Sequence, residues 1–279
     1  MALNLFYITN DPDIALIAEK YGVDRIWVDL ETHGKEERQR GMNTVKSNHR
    51  IDDISSIKPL LTTSEMLVRV NPWNEKSEWE INSVIEAGAD IVMLPMWKSV
   101  EEVQNFLSVV NGRAKSTLLL ETKEAVECID EVLKRDFDEI HIGLNDLHLS
   151  YGMTFMFELL TDGTVETLCN KFKKKGIPYG FGGIARLGSG ILTSEKVIME
   201  HYRLGSTRAI LSRSFCDINS YQSVSEVEEC FKQNMKTLRE YEEFCMDVGS
   251  EVYDQNRVDV TSCVKQIVEA MKEKYNYGA

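Results

Sequence analysis

Short apolar runs alternate with longer amphipathic stretches along most of the chain. Each run is rich in β-branched or aromatic residues, and each is followed by a stretch whose apolar positions recur at helical spacing. The eight runs are LNLFYIT, RIWVDLE, MLVRVNP, DIVMLPM, STLLLE, FDEIHIGLNDL, IPYGFGG and TRAILSRSF. Because strands covered on both faces read as continuous apolar runs, this pattern predicts a parallel sheet that alternates with helices.

Eight strand–helix units predict an α/β protein with a closed (β/α)8 TIM barrel and additional C-terminal helices. A doubly wound open sheet is the alternative, but the first strand–helix turn lacks the G-x-G-x-x-G sequence of nucleotide-binding sheets. Residues suited to N-caps precede several helical stretches, and we predict caps at Asp11 or Asp13, Ser99 and Ser194.

Two tail helices are predicted after the eighth unit, over about 222–248 and about 257–275. The first carries one apolar stripe at intervals of three or four residues: Val224, Val227, Phe231, Met235, Leu238, Tyr241 and Cys245. We expect residues 1–220 to form a catalytic barrel domain. We expect residues 221–279 to pack on that barrel or on a neighbouring subunit of a homo-oligomer.

The chain is acidic, with 45 Asp and Glu against 32 Lys and Arg and a net charge of −13. Such a surface repels phosphate backbones, so we expect no nucleic-acid partner. No segment approaches the roughly 20 apolar residues of a membrane helix, so we expect no membrane partner. The cysteines show no C-x-x-C spacing and are expected to be reduced thiols in the cytoplasm.

Charged residues recur where the predicted strands end, which is where barrel enzymes keep their active sites. They are Asp29, Glu31 and His33 after the second strand, Arg69 in the third, Glu121 after the fifth, Asp146 after the sixth and Arg213 after the eighth. Any one of them could be a structural ion pair. Several on one rim favour a functional site, because buried charges need each other or a bound ion.

Five segments resemble, in this order, the HpcH/HpaI aldolase and citrate lyase β-subunit family of the phosphoenolpyruvate/pyruvate superfamily. They are WVDLETHG, LVRVNP, EAGADIVMLPM, LLLET and IHIGLNDLHLSYG. The resemblance implies a carbon–carbon lyase of the metal-dependent, class II aldolase type. Such an enzyme would cleave or form a bond to a pyruvate-type enolate, and its expected partners are a 2-oxo acid and an aldehyde.

The resemblance also implies that Glu121 and Asp146 bind a divalent cation, Mg²⁺ or Mn²⁺, although other divalent ions would suit oxygen ligands. This ion would stabilise the enolate as a Lewis acid. Arg69 maps to the family's arginine and is expected to bind the keto oxygen. Backbone N–H groups expected to bind the substrate carboxylate are those of Gly143, Leu144 and Asn145.

The segment expected to supply the general base departs from the aldolases. Their D-x-E-H segment provides an Asp–His pair that moves protons, whereas this chain reads DLETH, with Thr32 at the histidine position. One residue reverses a side chain on a strand, but a loop can restore its direction. His33 is therefore the candidate base, with Glu31 or a metal-bound water as alternatives. Two further differences, Leu119 and His148, are expected to change the substrate fit.

Two loops are candidates for contacts with an anionic substrate. The long polar segment after the second strand carries Lys35, Arg38, Arg40, Lys46, His49 and Arg50, and is either a lid or a solvated loop. The segment GFGGIARLGSG follows the seventh strand, where barrels frequently bind phosphate. Its candidate substrate-binding residues are Gly182, Gly183 and Arg186, with Arg213 beside them, although the glycines also suit tight turns.

Two other functions stay open at this stage. The segment DLE also resembles the citrate lyase branch, which indicates a lyase or thioesterase acting on an acyl-CoA. The displaced histidine favours a binding protein that kept the barrel and lost the chemistry.

Overall fold

The computed structural model describes residues 1–32 and 48–277. Its strands form a closed barrel of eight parallel strands, which follow one another in chain order around the barrel. The strands are β1 Asn4–Ile8, β2 Arg25–Asp29, β3 Glu65–Arg69, β4 Ile91–Leu94, β5 Lys115–Leu120, β6 Glu139–Ile142, β7 Tyr179–Ile184 and β8 Arg208–Leu211. Each predicted apolar run overlaps one of these strands, and the (β/α)8 barrel with C-terminal helices is confirmed.

Helices alternate with the strands and are numbered here over the described residues. They are α1 Pro12–Lys20, α2 Ile51–Ile57, α3 Ser77–Glu86, α4 Val100–Val110, α5 Lys123–Glu127, α6 Ile129–Val132, α7 Leu144–Ser150, α8 Glu158–Thr161, α9 Thr164–Lys175, α10 Ser194–Leu204, α11 Val224–Asp247 and α12 Ser250–Tyr277. Over the ranges 1–32 and 48–277, no helix combines the length and the apolar character that crossing a membrane requires.

Side-chain caps fix the start of two helices as predicted. The carboxylate of Asp11 accepts the N–H groups two and three residues later, and Ser99 accepts the N–H three residues later. The cap predicted at Ser194 is wrong by one residue. Thr193 has the extended backbone of the cap position and Ser194 is the first helical residue of α10. Both residue types can cap, so their order alone does not identify the boundary.

The chain divides into two compact units, Leu5–Ile140, and Met1–Asn4 with His141–Ala279. In the first unit, β2 and β3 pair in register from Arg25 opposite Glu65 to Asp29 opposite Arg69.

Side chains alternate along β2, so Arg25, Trp27 and Asp29 share one face of this strand. All three are about 2% exposed. Buried charged residues therefore stand at both ends of the same strand, with an aromatic residue between them.

In the second unit, the tail helices pack against α10. The hydroxyl of Tyr202 donates to Glu242 on α11 (2.9 Å), and Asn256 on α12 donates to the carbonyl oxygen of Lys196 (3.1 Å). Most of the predicted stripe on α11 is buried, although Val224 is half exposed. The second tail helix begins at Ser250, earlier than predicted. The division at residue 220 and the contact with a neighbouring subunit stay predictions.

Candidate active site

The carboxyl ends of β2 and β3 are joined by an arginine between two acids. Nε and Nη2 of Arg69 donate to the two carboxylate oxygens of Asp29 at 2.8 and 2.9 Å. Nη1 of Arg69 lies 3.1 Å from Oε2 of Glu31. The strand register places Asp29 directly opposite Arg69, and Glu31 follows two residues later. This paired arrangement holds the guanidinium plane in one orientation.

Burial makes this arrangement electrostatically strong. Asp29 and Glu31 are 2% exposed, and the Arg69 side chain is 12% exposed. Burial by itself lowers the pKa of Arg69, but the charges of Asp29 and Glu31, the hydrogen bond to Asp29 and the charge of Glu121 together raise the pKa above its usual value. The guanidinium is therefore always charged at this position.

An asparagine after β3 fixes the chain that leaves β2. The side-chain amide of Asn71 donates to Glu80 on α3 (2.7 Å) and to the carbonyl oxygen of Leu30 (3.3 Å). Its oxygen accepts the N–H of Thr32 (2.9 Å). Asn71 thus brackets Glu31 from both sides along the chain. Thr32, which stands where the family has its histidine, is exposed and is hydrogen-bonded to Asn71.

Glu121 follows β5 directly, as the sequence predicted, and is 2% exposed. Its Oε1 accepts the N–H of Met96 (3.1 Å) from the turn after β4. Met96 has φ 55°, a left-handed conformation that L side chains rarely adopt. Strained backbone of this kind concentrates at functional sites, where the surrounding structure enforces it. Here it directs an N–H group at the carboxylate.

His49 lies near the C-terminal end of the long polar segment and contacts the end of β2. Its Nδ1 accepts the backbone N–H of Asp29 (2.9 Å). The nitrogen that accepts this hydrogen bond carries no proton of its own. We named His49 only as one basic residue of a loop, because nothing in the sequence indicated this contact.

Asp29, Glu31, Arg69 and Glu121 are called the rim cluster below. Their formal charges sum to −2, from three carboxylates and one guanidinium. Across the described residues, however, no group of three or more His, Cys, Asp or Glu side chains is arranged to hold a metal ion. The excess negative charge of the cluster attracts a cation, and Mg²⁺ commonly binds through one or two carboxylates and several waters, which is fewer protein ligands than such a group contains.

The other predicted ligand and substrate-binding residues lie in the second unit. Gly143 is the N-cap of α7, Leu144 is buried, Asn145 is exposed, and Asp146 is half-buried in the first turn. An acid in a first helical turn is favoured by the helix dipole. His148, one turn along, is buried, and its Nδ1 lies 3.2 Å from the carbonyl oxygen of Leu144.

Close packing accounts for the glycines of β7. Gly182 has φ 54°, and a Cβ there would lie 2.7 Å from Cδ1 of Leu144. A Cβ on Gly183 would lie 3.2 Å from the carbonyl oxygen of Ile210 on β8. These contacts explain both glycines without a bound phosphate.

The loops after β7 and β8 meet through their backbones, with the N–H of Arg186 3.5 Å from the carbonyl oxygen of Ser214. Arg186 and Arg213 are both exposed. The N–H of Gly188 donates to the carboxylate of Glu195 (2.7 Å), so an acid already occupies one donor that a phosphate would use. His33, with Lys35, Arg38, Arg40 and Lys46, lies outside the described residues.

Three comparisons with known proteins bear on this site. The family model for HpcH/HpaI aldolase/citrate lyase matches residues 3–158, which include every member of the rim cluster. Among curated proteins, none matches the sequence.

Two solved structures share the fold. The HpcH/HpaI aldolase from Desulfitobacterium hafniense DCB-2 is 17% identical with a TM-score of 0.60, and the match covers 86% of this chain and 93% of that one. RipC from Yersinia pestis is 14% identical with a TM-score of 0.54, covering 82% and 94%. At such identities the likeness establishes the barrel alone. The family model covers more than half of the sequence, and on that match the chain belongs to the HpcH/HpaI aldolase/citrate lyase family.

Proposed function

We propose that this protein is a divalent-metal-dependent aldolase or lyase that cleaves or forms a carbon–carbon bond through a pyruvate-type enolate. The observation that carries the proposal is the pair of buried ion pairs that Asp29 and Glu31 form with Arg69, with Glu121 nearby, in a family of aldolases and lyases. The substrate is a small anionic 2-oxo acid.

Arg69 is the group that we assign to the substrate oxo oxygen. A guanidinium has five N–H donors, and each terminal nitrogen carries two of them. The contacts with Asp29 and Glu31 engage all three nitrogens, and each terminal nitrogen retains a second N–H bond. A fixed, charged donor of this kind stabilises negative charge that develops on an oxygen in the transition state.

Glu121 and Asp146 are the residues that we assign to Mg²⁺ or Mn²⁺. Carboxylate oxygens are the ligands that these ions prefer, and Mg²⁺ usually keeps several waters beside one or two carboxylates. The net charge of −2 on the rim cluster favours a divalent cation in its vicinity. When bound, the ion supplies Lewis-acid stabilisation of the enolate oxygen.

The remaining roles follow the predicted residues. His33 is the proposed general base, and Glu31, which is already placed beside Arg69, is the alternative. We assign the substrate carboxylate to backbone N–H groups of Gly143, Leu144 and Asn145. Any additional anionic group on the substrate is assigned to the loops that contain Gly182, Gly183, Arg186 and Arg213.

The test is pyruvate release from a series of 4-hydroxy-2-oxo acids in the presence of Mg²⁺ or Mn²⁺, repeated after treatment with a chelator. We expect activity that disappears with the chelator and returns when the ion is restored. Activity that persists without a divalent ion would remove the metal from the mechanism. Cleavage of malyl-CoA or citramalyl-CoA, with no activity on the 2-oxo acids, would instead assign the protein to acyl-CoA chemistry.

We further propose a homo-oligomer in the cytoplasm. Half of the surface of Phe244 on α11 is exposed, and Val258 on α12 is 62% exposed, as contacts between subunits would require. Light scattering coupled to gel filtration gives the mass of the assembly, and a monomer of 31.9 kDa would contradict the proposal.

A further inference from the structure

Trp27 lies in the layer directly beneath the rim cluster. It is the third residue of β2, it pairs with Leu67 of β3, and it shares a strand face with Asp29 two residues later. The side chain is 2% exposed. The guanidinium carbon of Arg69 stands 5.1 Å from the centre of the indole ring, within the range of a cation–π contact. The ring face therefore supports Arg69 from below.

The edge of the same ring carries an unused donor. Nε1 of Trp27 is buried and has no hydrogen-bond partner among the described residues. Buried donors are nearly always paired in folded proteins, and each exception costs stability and needs a reason. The reason here is not a lack of polar groups nearby, because the ring lies against the guanidinium of Arg69, which itself contacts Asp29 and Glu31.

We propose that the indole N–H of Trp27 donates a hydrogen bond to an oxygen of the anionic substrate that Arg69 binds. The inference rests on the proposed function, since it assigns a further binding contact to the same site. An indole nitrogen donates and cannot accept, so this contact favours ligands that present a carboxylate or oxo oxygen. Together with Arg69, it gives two donors of fixed position to a small 2-oxo acid.

The direct test observes the N–H itself. The chain has four tryptophans, so a ¹⁵N-labelled sample gives four indole N–H resonances, and their loss in Trp27→Phe and Trp97→Phe assigns two of them. Oxalate, which resembles the pyruvate enolate, is titrated with Mg²⁺ present. We expect the Trp27 resonance to move downfield at saturation, as a newly formed hydrogen bond requires, while the Trp97 resonance moves little.

The second measurement compares two matched variants. Trp97 is also buried and its Nε1 also has no partner in the described part of the chain, so Trp97→Phe removes a buried indole donor without touching the Trp27–Arg69 contact. Phenylalanine keeps a ring for packing and loses the N–H. We expect Trp27→Phe to bind oxalate about tenfold more weakly, the value of one hydrogen bond, and Trp97→Phe to bind within about twofold of the wild type. Both variants lose ring volume at a buried position, so thermal unfolding is measured for each and oxalate binding is compared between folded samples.

The outcomes separate this inference from the proposed function. If oxalate raises the melting temperature of the wild type but leaves the Trp27 resonance in place, or if Trp27→Phe binds oxalate normally, the assignment of Trp27 is wrong and the proposed function stands. If oxalate with Mg²⁺ does not bind the wild type at all, the proposed function fails and this inference fails with it. The spectrum of the wild type decides the matter even if Trp27→Phe folds poorly.

Discussion

The two ends of the same strands in the unit Leu5–Ile140 carry two very different sets of charged residues. At the amino ends, the guanidinium of Arg25 forms a paired contact with Glu139 and a further contact with Glu65 (3.2 Å), and Lys115 contacts the second oxygen of Glu65. We call these four residues the floor network. Its formal charges sum to zero, whereas those of the rim cluster sum to −2.

This difference in net charge bears on the role of each end of the strands. Thr117 donates to Glu139 (2.7 Å), and the ring of Phe6 lies 4.8 Å from the guanidinium carbon of Arg25, so the Arg25–Glu139 pair at the centre of the floor network is balanced and enclosed. Buried charges in such a network stabilise a fold only as long as each keeps its partner. The rim cluster holds excess negative charge at the strand ends where barrel enzymes keep their active sites. We therefore propose that the floor network stabilises the fold and that the rim cluster carries the chemistry.

The largest expected effect comes from breaking the floor. Glu139→Gln removes the charge that faces the buried guanidinium of Arg25, and we expect the free energy of unfolding to fall by about 3–5 kcal/mol. Urea titration followed by circular dichroism measures it. Glu131→Gln, in an exposed pair with Lys134, is the control and should change stability by less than about 0.5 kcal/mol. Equal effects at both positions would show that the floor network is not special.

At the rim, removing a carboxylate should affect catalysis instead. We expect Glu121→Gln to lower kcat/KM by about 100-fold or more and to weaken Mn²⁺ binding in a calorimetric titration, because a proposed metal ligand is lost. The folded fraction of Glu139→Gln should retain normal kcat/KM.

The Glu121→Gln variant should raise the stability of the fold, whereas Glu139→Gln should lower it. With a chelator present, Glu121→Gln relieves repulsion within the rim cluster, and we expect the free energy of unfolding to rise by about 1 kcal/mol. A loss of stability comparable with that of Glu139→Gln would contradict the division between the two ends.

A smaller effect is expected from the acid that orients Arg69. Asp29→Asn keeps one acceptor and loses the charge and the second acceptor, so we expect kcat/KM to fall by about 10- to 100-fold. Steady-state kinetics at saturating Mg²⁺ measures the change. Thr32→Ala, three residues further along and exposed, should remain within about twofold of the wild type. A similar loss in Thr32→Ala would assign the effect to the loop and not to Arg69.

An effect on stability alone is expected at the strained turn beside Glu121. Glycine adopts the left-handed conformation of Met96 without steric cost but loses more entropy on folding, so Met96→Gly should change stability by no more than about 1 kcal/mol. Met96→Val should lower it by about 2 kcal/mol, because a β-branched side chain is poorly accommodated there. Thermal unfolding compares the two. Equal stabilities would show that the backbone at this position is not constrained.

The sequence predicted the elements of this fold well and the contacts within the site poorly. Apolar runs such as that of β5 identify strands because a strand buried on both faces is mostly apolar. The position of Glu121 followed from the apolar run of β5, because Glu121 is the first residue after that run. These are properties of neighbouring residues in the chain.

The contacts that the sequence did not reveal join distant segments. Asn71 lies within a segment that we quoted for the family resemblance, but its bonds to Glu80 and Leu30 depend on how α3 and β2 are placed. The contact of His49 with Asp29 and the strain of Met96 depend on loop conformation in the same way. Asn71 precedes a proline at the end of β3, and this was the one local signal that could have indicated its contacts.

The register of β2 and β3 also bears on how the chain folds. The pairs Arg25–Glu65 and Asp29–Arg69 lie four residues apart on both strands, with Trp27 opposite Leu67 between them. A slip of one residue would direct one strand's charges away from the other's, and a slip of two would set a charged residue against Leu67. The two ion pairs therefore favour the observed alignment of β2 and β3 over alignments shifted by one or two residues.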